Sequence, residues 1–134
     1  MLSKDVFNRW TPLHWAAMKG HATVISIIAK MDEVNVNSKN ADGRTPLHVA
    51  AMRGHATVIS IIAKMDGINV NTKAANGYTP LHEAAFCGHL SSVKCLIEEF
   101  NADPKIKNND GETAYDIAVR FNRSECAKYL QQYN

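Results

Sequence analysis

Short runs of apolar side chains recur along the chain at the spacing of a helix face. From Val58 to Ile62, apolar residues stand at positions i, i+1, i+3 and i+4, which is typical of a helix with one buried side. The run from Val24 to Ala29 repeats this pattern. Because these runs contain five or six residues, far fewer than the about 20 that span a bilayer, the sequence predicts no membrane span.

The recurrence belongs to a tandem repeat with a period of 34 residues. The tetrapeptide Thr-Pro-Leu-His begins at Thr11, Thr45 and Thr79, and a degenerate copy, Thr-Ala-Tyr-Asp, begins at Thr113. Residues 11–32 and 45–66 agree at 20 of 22 positions, as expected after recent duplication, gene conversion or design. A period of this length indicates supersecondary units that bury their apolar faces against their neighbours.

Each unit predicts two short antiparallel helices. The hydroxyl of Thr45 can cap a helix start, and Pro46 fits the first helical position, where no amide hydrogen is needed. Gly54 supplies the left-handed residue that ends this helix, and Asn122 takes its place in the last unit. A second helix is expected from Ala56 to about Met65.

Extended residues and a tight turn are expected between units. The segments Asn35-Val36-Asn37 and Asn69-Val70-Asn71 are followed by Asp42-Gly43 and Asn76-Gly77, which favour a hairpin-like loop. Asp110-Gly111 repeats the turn before the last unit. Asn8-Arg9 stands where the first unit should have its glycine, so an incomplete N-terminal loop is expected.

The pattern Thr-Pro-Leu-His-x-Ala-Ala-x-x-Gly-His, followed by a second helix, Asn-Val-Asn and Asp-Gly, closely resembles the ankyrin repeat. The resemblance covers the whole chain and implies an all-α solenoid of stacked helix-turn-helix units with short β-hairpin-like loops. It divides a single domain of residues 1–134 into a partial N-terminal loop or cap (1–10) and repeats 1 to 4 (11–44, 45–78, 79–112 and 113–134), the last a C-terminal cap.

Each unit is one residue longer than the about 33 typical of the family. The extra residue lies after the second helix, where Gly67 and Asn101 suit a left-handed backbone. Glu33 occupies this position in repeat 1 and is expected to be strained if its φ is positive.

Composition argues against several classes of partner. The net charge is +2, from 15 basic and 13 acidic residues mixed along the chain, so no nucleic-acid interface is predicted. Residues 1–5 lack the apolar region of a secretory signal, so no secretory leader is expected. The three cysteines are an odd number without metal-ligand spacing, which favours a reducing, intracellular location in the cytoplasm, with the nucleus as an alternative. By their place in the repeat, Cys95 and Cys126 are expected in the core and Cys87 at the surface.

All six histidines lie in the repeat signature, which favours a structural role. His14, His48 and His82 are expected to bond at their own helix starts, whereas His21, His55 and His89 are expected to bridge adjacent units. No phosphate-binding loop, nucleophile elbow or paired carboxylate is present. The sequence therefore predicts no enzyme activity, no metal site and no cofactor.

The resemblance implies a partner-binding surface on the concave face, formed by loop tips and first helices. Mapped onto this chain, the predicted contacts for a protein partner are Trp10, Met18, Lys19, Asp42, Arg44, Met52, Arg53, Asn76, Tyr78, Phe86 and Glu112. Aromatic, methionine and arginine side chains of this kind are enriched in interface hot spots. Trp10 and Phe86 could instead simply cover the core. Basic Lys19, Arg44 and Arg53 in repeats 1 and 2, against Glu83 and Glu112 further on, predict a partner with an acidic end.

The two ends of the array differ in character. The last helix is polar, as a solubilising cap requires, whereas repeat 1 is nearly a copy of the internal repeat 2. Its outer side is expected to be apolar, with self-association as a homo-oligomer, a partner, or upstream repeats of a longer protein as the alternatives. The residues available to cover it are Leu2, Val6, Phe7, Trp10 and Trp15.

The resemblance also implies one modification. Some family members are substrates of the asparaginyl hydroxylase that modifies hypoxia factors, and the target position matches Asn37 and Asn71. Asn35 and Asn69 stand where an acidic residue usually precedes the target.

The main expectation remains a non-catalytic protein-binding scaffold, and the alternative is a structural assembly module that self-associates through its N-terminal face.

Overall fold

The computed structural model describes residues 9–31 and 34–134, and the described residues form helices joined by turns, without a β-strand. The first helices of the four repeats are α1, α3, α5 and α7, and the second helices are α2, α4, α6 and α8. Their bounds are α1 Pro12–Lys19, α2 Ala22–Ala29, α3 Pro46–Arg53, α4 Ala56–Ala63, α5 Pro80–Cys87, α6 Leu90–Lys94, α7 Ala114–Arg120 and α8 Ser124–Leu130. The predicted all-α repeat architecture is confirmed.

Each first helix begins and ends as its sequence predicts. The side chain of Thr45 accepts a hydrogen bond from the amide of His48, and Pro46 occupies the first turn. Gly54 closes α3 with φ 71° and donates its amide hydrogen to the carbonyls of Ala50 and Ala51. In repeat 4 the left-handed residue is Asn122, with φ 58°.

The second helices end in two ways. In repeat 2, α4 stops at Ala63, two residues before the predicted end, because a tight turn follows in which the Met65 amide donates to the Ile62 carbonyl. In repeat 3, α6 continues as a π-helical turn from Cys95 to Glu99. Both paths reach a left-handed residue, Gly67 or Asn101. The π-turn of repeat 3 thus keeps within the helix residues whose equivalents in repeat 2 lie after the end of α4. Glu33, the third residue at this position, lies outside the described residues.

The predicted hairpin-like loops are tight glycine turns. In the first, the Asn40 amide donates to the Arg44 carbonyl over 2.9 Å, and Gly43 turns the chain with φ 75°. Neighbouring turns are joined directly, since the Ala75 amide donates to the Asp42 carbonyl over 2.9 Å. Of the N-terminal loop only Arg9 and Trp10 are described. Arg9 has φ 58°, and Asn8 lies outside the described residues.

The core lies between two layers of helices. First helices pack side by side along the array, and second helices do the same. Within each repeat the first helix also packs against the second. Ile25, Leu47, Ile59, Leu81 and Leu96 are almost completely buried where the layers meet. This stacking leaves the loop tips and the outer edges of the first helices free, and it leaves one end surface at each terminus of the array.

Candidate functional site

Each histidine of the Thr-Pro-Leu-His signature makes one hydrogen bond at the start of its own helix and a second to the turn that follows its repeat. Nδ1 of His48 accepts a hydrogen bond from the Thr45 amide over 3.1 Å, and Nε2 donates to the carbonyl of Tyr78 in the next turn over 2.8 Å. His14 and His82 bond in the same way, to the carbonyls of Arg44 and Glu112. The predicted bond at the helix start is therefore confirmed, and the bond to the following turn is an addition that sequence reasoning missed.

Burial favours the neutral form of these three imidazoles. The pKa of His14, His48 and His82 is lowered chiefly by desolvation, and that of His48 falls to about 4. A buried imidazole with both ring nitrogens bonded to the backbone is a structural group. In repeat 4 Asp116 replaces the histidine, and its carboxylate accepts the Thr113 amide over 3.0 Å.

Two histidines of the second set, His55 and His89, bridge adjacent repeats as predicted, whereas His21 makes no such bond among the described residues. Nε2 of His55 donates to the Met18 carbonyl over 3.2 Å, and Nε2 of His89 donates to the Met52 carbonyl over 2.9 Å. Arg123 takes this place in repeat 4 and donates from Nε to the Phe86 carbonyl over 2.8 Å. Within the described ranges, no cluster of three or more His, Cys, Asp or Glu side chains could hold a metal ion.

The predicted partner contacts occupy equivalent positions in successive repeats. We call these residues the first-helix stripe. Its half-buried members are Trp10, Met18, Arg44, Met52, Tyr78, Phe86 and Glu112, and its exposed members are Lys19, Asp42, Arg53 and Asn76. Equivalent positions of stacked repeats follow one another along the same side of the array, so the stripe forms one extended surface.

Aromatic side chains make the C-terminal half of the stripe continuous. The rings of Tyr78 and Phe86 meet edge to face with centroids 6.3 Å apart, and those of Phe86 and Phe121 do so at 4.7 Å. The Arg120 guanidinium lies over the Phe121 ring, 4.4 Å from its centroid. At the other end, Trp10 packs against Trp15 at 4.9 Å and against His14 at 5.7 Å. The stripe therefore presents partly accessible aromatic surface held in place by ring contacts.

The predicted charge asymmetry of the stripe is not what the structure shows. Glu83 is only 1 % exposed, and its Oε2 accepts a hydrogen bond from Nε of Arg44 over 2.5 Å. Glu112 is paired with Arg120 over 2.8 Å. Sequence reasoning treated Arg44, Glu83 and Glu112 as surface charges, but stacking pairs Arg44 with Glu83, and Glu112 is paired with Arg120 on the helix that follows it. Among the described residues Lys19 and Arg53 form no ion pair, so they are the basic members still free to attract an acidic group.

The buried ion pair left one trace in the sequence. Glu83 stands where the other repeats have Trp15, Val49 and Ile117, and an acidic residue at an apolar position requires a compensating partner. Arg44, 39 residues earlier, could be identified as that partner only after the repeats had been stacked.

The three cysteines have different surroundings. Cys95 and Cys126 are buried, as predicted, with 6 % and 1 % exposure. Cys87, expected at the surface, is half-buried instead, and burial raises the pKa of its thiol. A raised pKa lowers the thiolate fraction at neutral pH, so Cys87 lacks the character of a reactive cysteine.

The two asparagines of the predicted modification site hold neighbouring loops together. Oδ1 of Asn37 accepts the Asn69 amide over 3.1 Å while its Nδ2 donates to the Gly67 carbonyl over 2.7 Å. Oδ1 of Asn71 accepts the Asp103 amide over 2.9 Å. These contacts explain why asparagine suits both positions without modification, and hydroxylation at Asn37 or Asn71 stays a prediction.

The residues predicted to cover the outer side of repeat 1 are described only in part. Leu2, Val6 and Phe7 lie outside the described residues. Trp10 is half-buried, and Trp15 is 43 % exposed.

Comparison with known proteins gives one result that spans the chain. The family model described as ankyrin repeats, in three copies, matches residues 1–74 and 61–134. The search of curated proteins found no match. None of the helices that the structure describes has the length and apolar character needed to cross a membrane.

Proposed function

The chain belongs to the ankyrin repeat family, whose repeats generally serve in protein–protein interaction, and we propose that it is a non-catalytic module that binds a partner protein through the first-helix stripe. The observation that carries this proposal is that each repeat uses different residues for stacking and for its accessible surface. The signature histidines and threonines bond within and between repeats, whereas Tyr78 and Phe86 remain partly accessible on one surface.

Several physical features favour binding at this surface. Tyr78, Phe86 and Phe121 are large rigid side chains whose mutual packing limits the entropy lost when a partner binds. Lys19 and Arg53, which form no ion pair with any residue that the structure describes, lie on the same stripe and can steer an acidic segment of the partner. Because Arg44 and Glu112 are already paired, they contribute less net charge than their sequence positions indicated.

The proposal assigns the chain no catalytic role, because the buried histidines are committed to backbone hydrogen bonds. It also places the module in a reducing compartment, in the cytoplasm or the nucleus, since all three cysteines are free thiols.

The test is a capture experiment from a lysate of the organism that encodes the chain. The binding variant combines Arg53→Glu, Tyr78→Ala and Phe86→Ala; Arg44 is left intact because its removal would unpair Glu83. The matched control combines Thr57→Ala and Ser91→Ala, at exposed positions of the second helices, with Lys64→Glu at the exposed residue that follows α4. Both variants are first shown to be folded by circular dichroism and urea unfolding.

The expected result is a protein captured by the wild type and by the control variant but not by the binding variant. Equal capture by all three proteins would contradict the proposal. If the captured protein is lost only with the control variant, binding occurs on the second helices instead.

A further inference from the structure

The N-terminal face of repeat 1, defined here by Trp15, Val24 and Ile27, exposes three apolar side chains, and later repeats bury the positions of Trp15 and Val24. Trp15 is 43 %, Val24 44 % and Ile27 56 % exposed. The equivalent positions in later repeats are buried, with exposures between 0 % and 3 %. They are Val49, Glu83 and Ile117 for Trp15, and Val58, Ser92 and Cys126 for Val24. In each later repeat the preceding repeat covers these positions, so the face has the form of a stacking interface.

Polar groups on the same side support this reading independently. Three groups of repeat 2 donate hydrogen bonds to repeat 1. His55 Nε2 donates to the Met18 carbonyl, the Asn69 amide donates to Asn37 Oδ1, and the Ala75 amide donates to the Asp42 carbonyl. The equivalent donors of repeat 1 are the His21 ring, the Asn35 amide and the Ala41 amide. Among the described residues none of these three groups has a hydrogen-bond acceptor. Repeat 1 therefore presents both halves of a repeat interface, apolar side chains and a set of three donors.

A second copy of this chain fits the face poorly in either orientation. The described C-terminal end exposes Lys128, Gln131 and Gln132, which would meet the apolar side chains in a head-to-tail contact. Pairing two N-terminal faces would place donors opposite donors and would leave the same three groups without acceptors.

We propose that the N-terminal face is a docking surface for a further ankyrin-type repeat, joined in tandem ahead of Thr11 and presenting the surface that repeat 1 presents to repeat 2. Such a repeat supplies the required acceptors, namely a carbonyl at the position of Met18, an asparagine side chain at that of Asn37 and a carbonyl at that of Asp42. It continues the repeat interface already present in the chain and does not depend on the first-helix stripe.

The test inserts a copy of residues 45–78 between residues 10 and 11. That unit contains no tryptophan, and with Trp10→Tyr throughout, Trp15 is the sole tryptophan and reports on the face. On insertion we expect Trp15 emission to move to shorter wavelength, acrylamide quenching of Trp15 to fall, and hydrogen exchange of the Asn35 and Ala41 amides to slow. A second insertion, a copy of residues 11–44 carrying Trp15→Val, is used if the first does not fold.

The matched control carries Val24→Lys with and without the insertion. Without the insertion this exposed substitution leaves urea unfolding unchanged, and with it the lysine should abolish the shifts in emission and exchange. Unchanged Trp15 emission and Asn35 exchange in a folded insertion variant would overturn the proposal. Concentration-dependent dimerisation of the unaltered chain that itself buries Trp15 would also overturn it, in favour of a second copy.

Discussion

The buried carboxylate of Glu83 in repeat 3 is bonded to Arg44, the last residue of repeat 1, with 2.5 Å between Oε2 and Nε. The side chain of Arg44 is 23 % exposed, whereas that of Glu83 is 1 % exposed. The two residues therefore depend on each other unequally, since Arg44 can be hydrated without Glu83, whereas no other cation in the described part of the chain forms an ion pair with Glu83.

Removing Arg44 should destabilise the array more than removing another cation of the stripe. Arg44→Met leaves an uncompensated buried carboxylate and is expected to lower the free energy of unfolding by about 3 kcal/mol at pH 7. Arg53→Met, at an exposed position with no ion pair in residues 9–31 and 34–134, should change it by less than about 0.5 kcal/mol. Urea unfolding of both variants makes the comparison, and equal losses would show that the ion pair is unimportant.

Two further measurements separate charge from packing at this site. Combining Arg44→Met with Glu83→Val, the residue type of Val49 in repeat 2, should restore most of the loss. Burial raises the pKa of Glu83 and Arg44 opposes this, so without Arg44 the pKa rises further. Because protonation removes the buried charge, the deficit of Arg44→Met should shrink as the pH falls from 7 towards 5. A deficit independent of pH would indicate lost packing instead.

Acid should destabilise the array through His48. Its pKa is about 4 in the folded chain, mainly because of burial, against 6.5 when it is exposed. Between these values the unfolded chain binds more protons than the folded chain, so stability is present above pH 6.5 and is lost as the pH falls towards 4. The loss from this residue is about 3 kcal/mol.

The control for acid destabilisation is His48→Gln, which has no titrating group at this position. The variant should be less stable than the wild type at pH 7, because the hydrogen bonds at Thr45 and Tyr78 are impaired. Its free energy of unfolding should then fall less steeply between pH 6.5 and 4. Parallel curves for the two proteins would contradict the predicted role of His48.

Two glycines with the same backbone conformation should respond differently to substitution. Gly54 and Gly67 have φ 71° and 78°, so alanine is strained at both by about 1 kcal/mol. A Cβ at Gly54 would also stand 2.7 Å from the His89 ring, which bridges to the Met52 carbonyl, whereas a Cβ at Gly67 meets no atom within 4 Å. Thermal unfolding should show the larger loss for Gly54→Ala, and equal losses would mean that the ring moves aside without cost.

The same substitution at Val24 and Val58 should measure the effect of a covering repeat. Val58→Lys places a charge at a position that is 1 % exposed and should cost about 3 kcal/mol or more. Val24→Lys, at 44 % exposure, should change the free energy of unfolding by less than about 0.5 kcal/mol. A large loss at Val24, measured in urea at low protein concentration, would show that this face is covered in the isolated chain.

The sequence predicted what depends on neighbouring residues. Thr45, Pro46 and Gly54 define the start and end of α3 by local backbone requirements, and the structure agrees. The fold class followed because the period is repeated. The pairing of Arg44 with Glu83 and the half-burial of Cys87 depend on stacking across repeats, which residue spacing along one unit does not report. The π-turn after Lys94 was missed because its residues have ordinary helical character.

The π-turn in repeat 3 has a consequence for how such arrays can vary in length. One position after the second helix can be held inside a widened helical turn or outside the helix, and Gly67 and Asn101 are reached by either path. A single-residue deletion between Lys94 and Asn101 could therefore be absorbed by converting the π-turn to α-helix, without shifting the loop that follows. Insertions and deletions between the second helix and the following loop do not involve residues of the first-helix stripe. Recombination between units of unequal length can therefore preserve a binding surface.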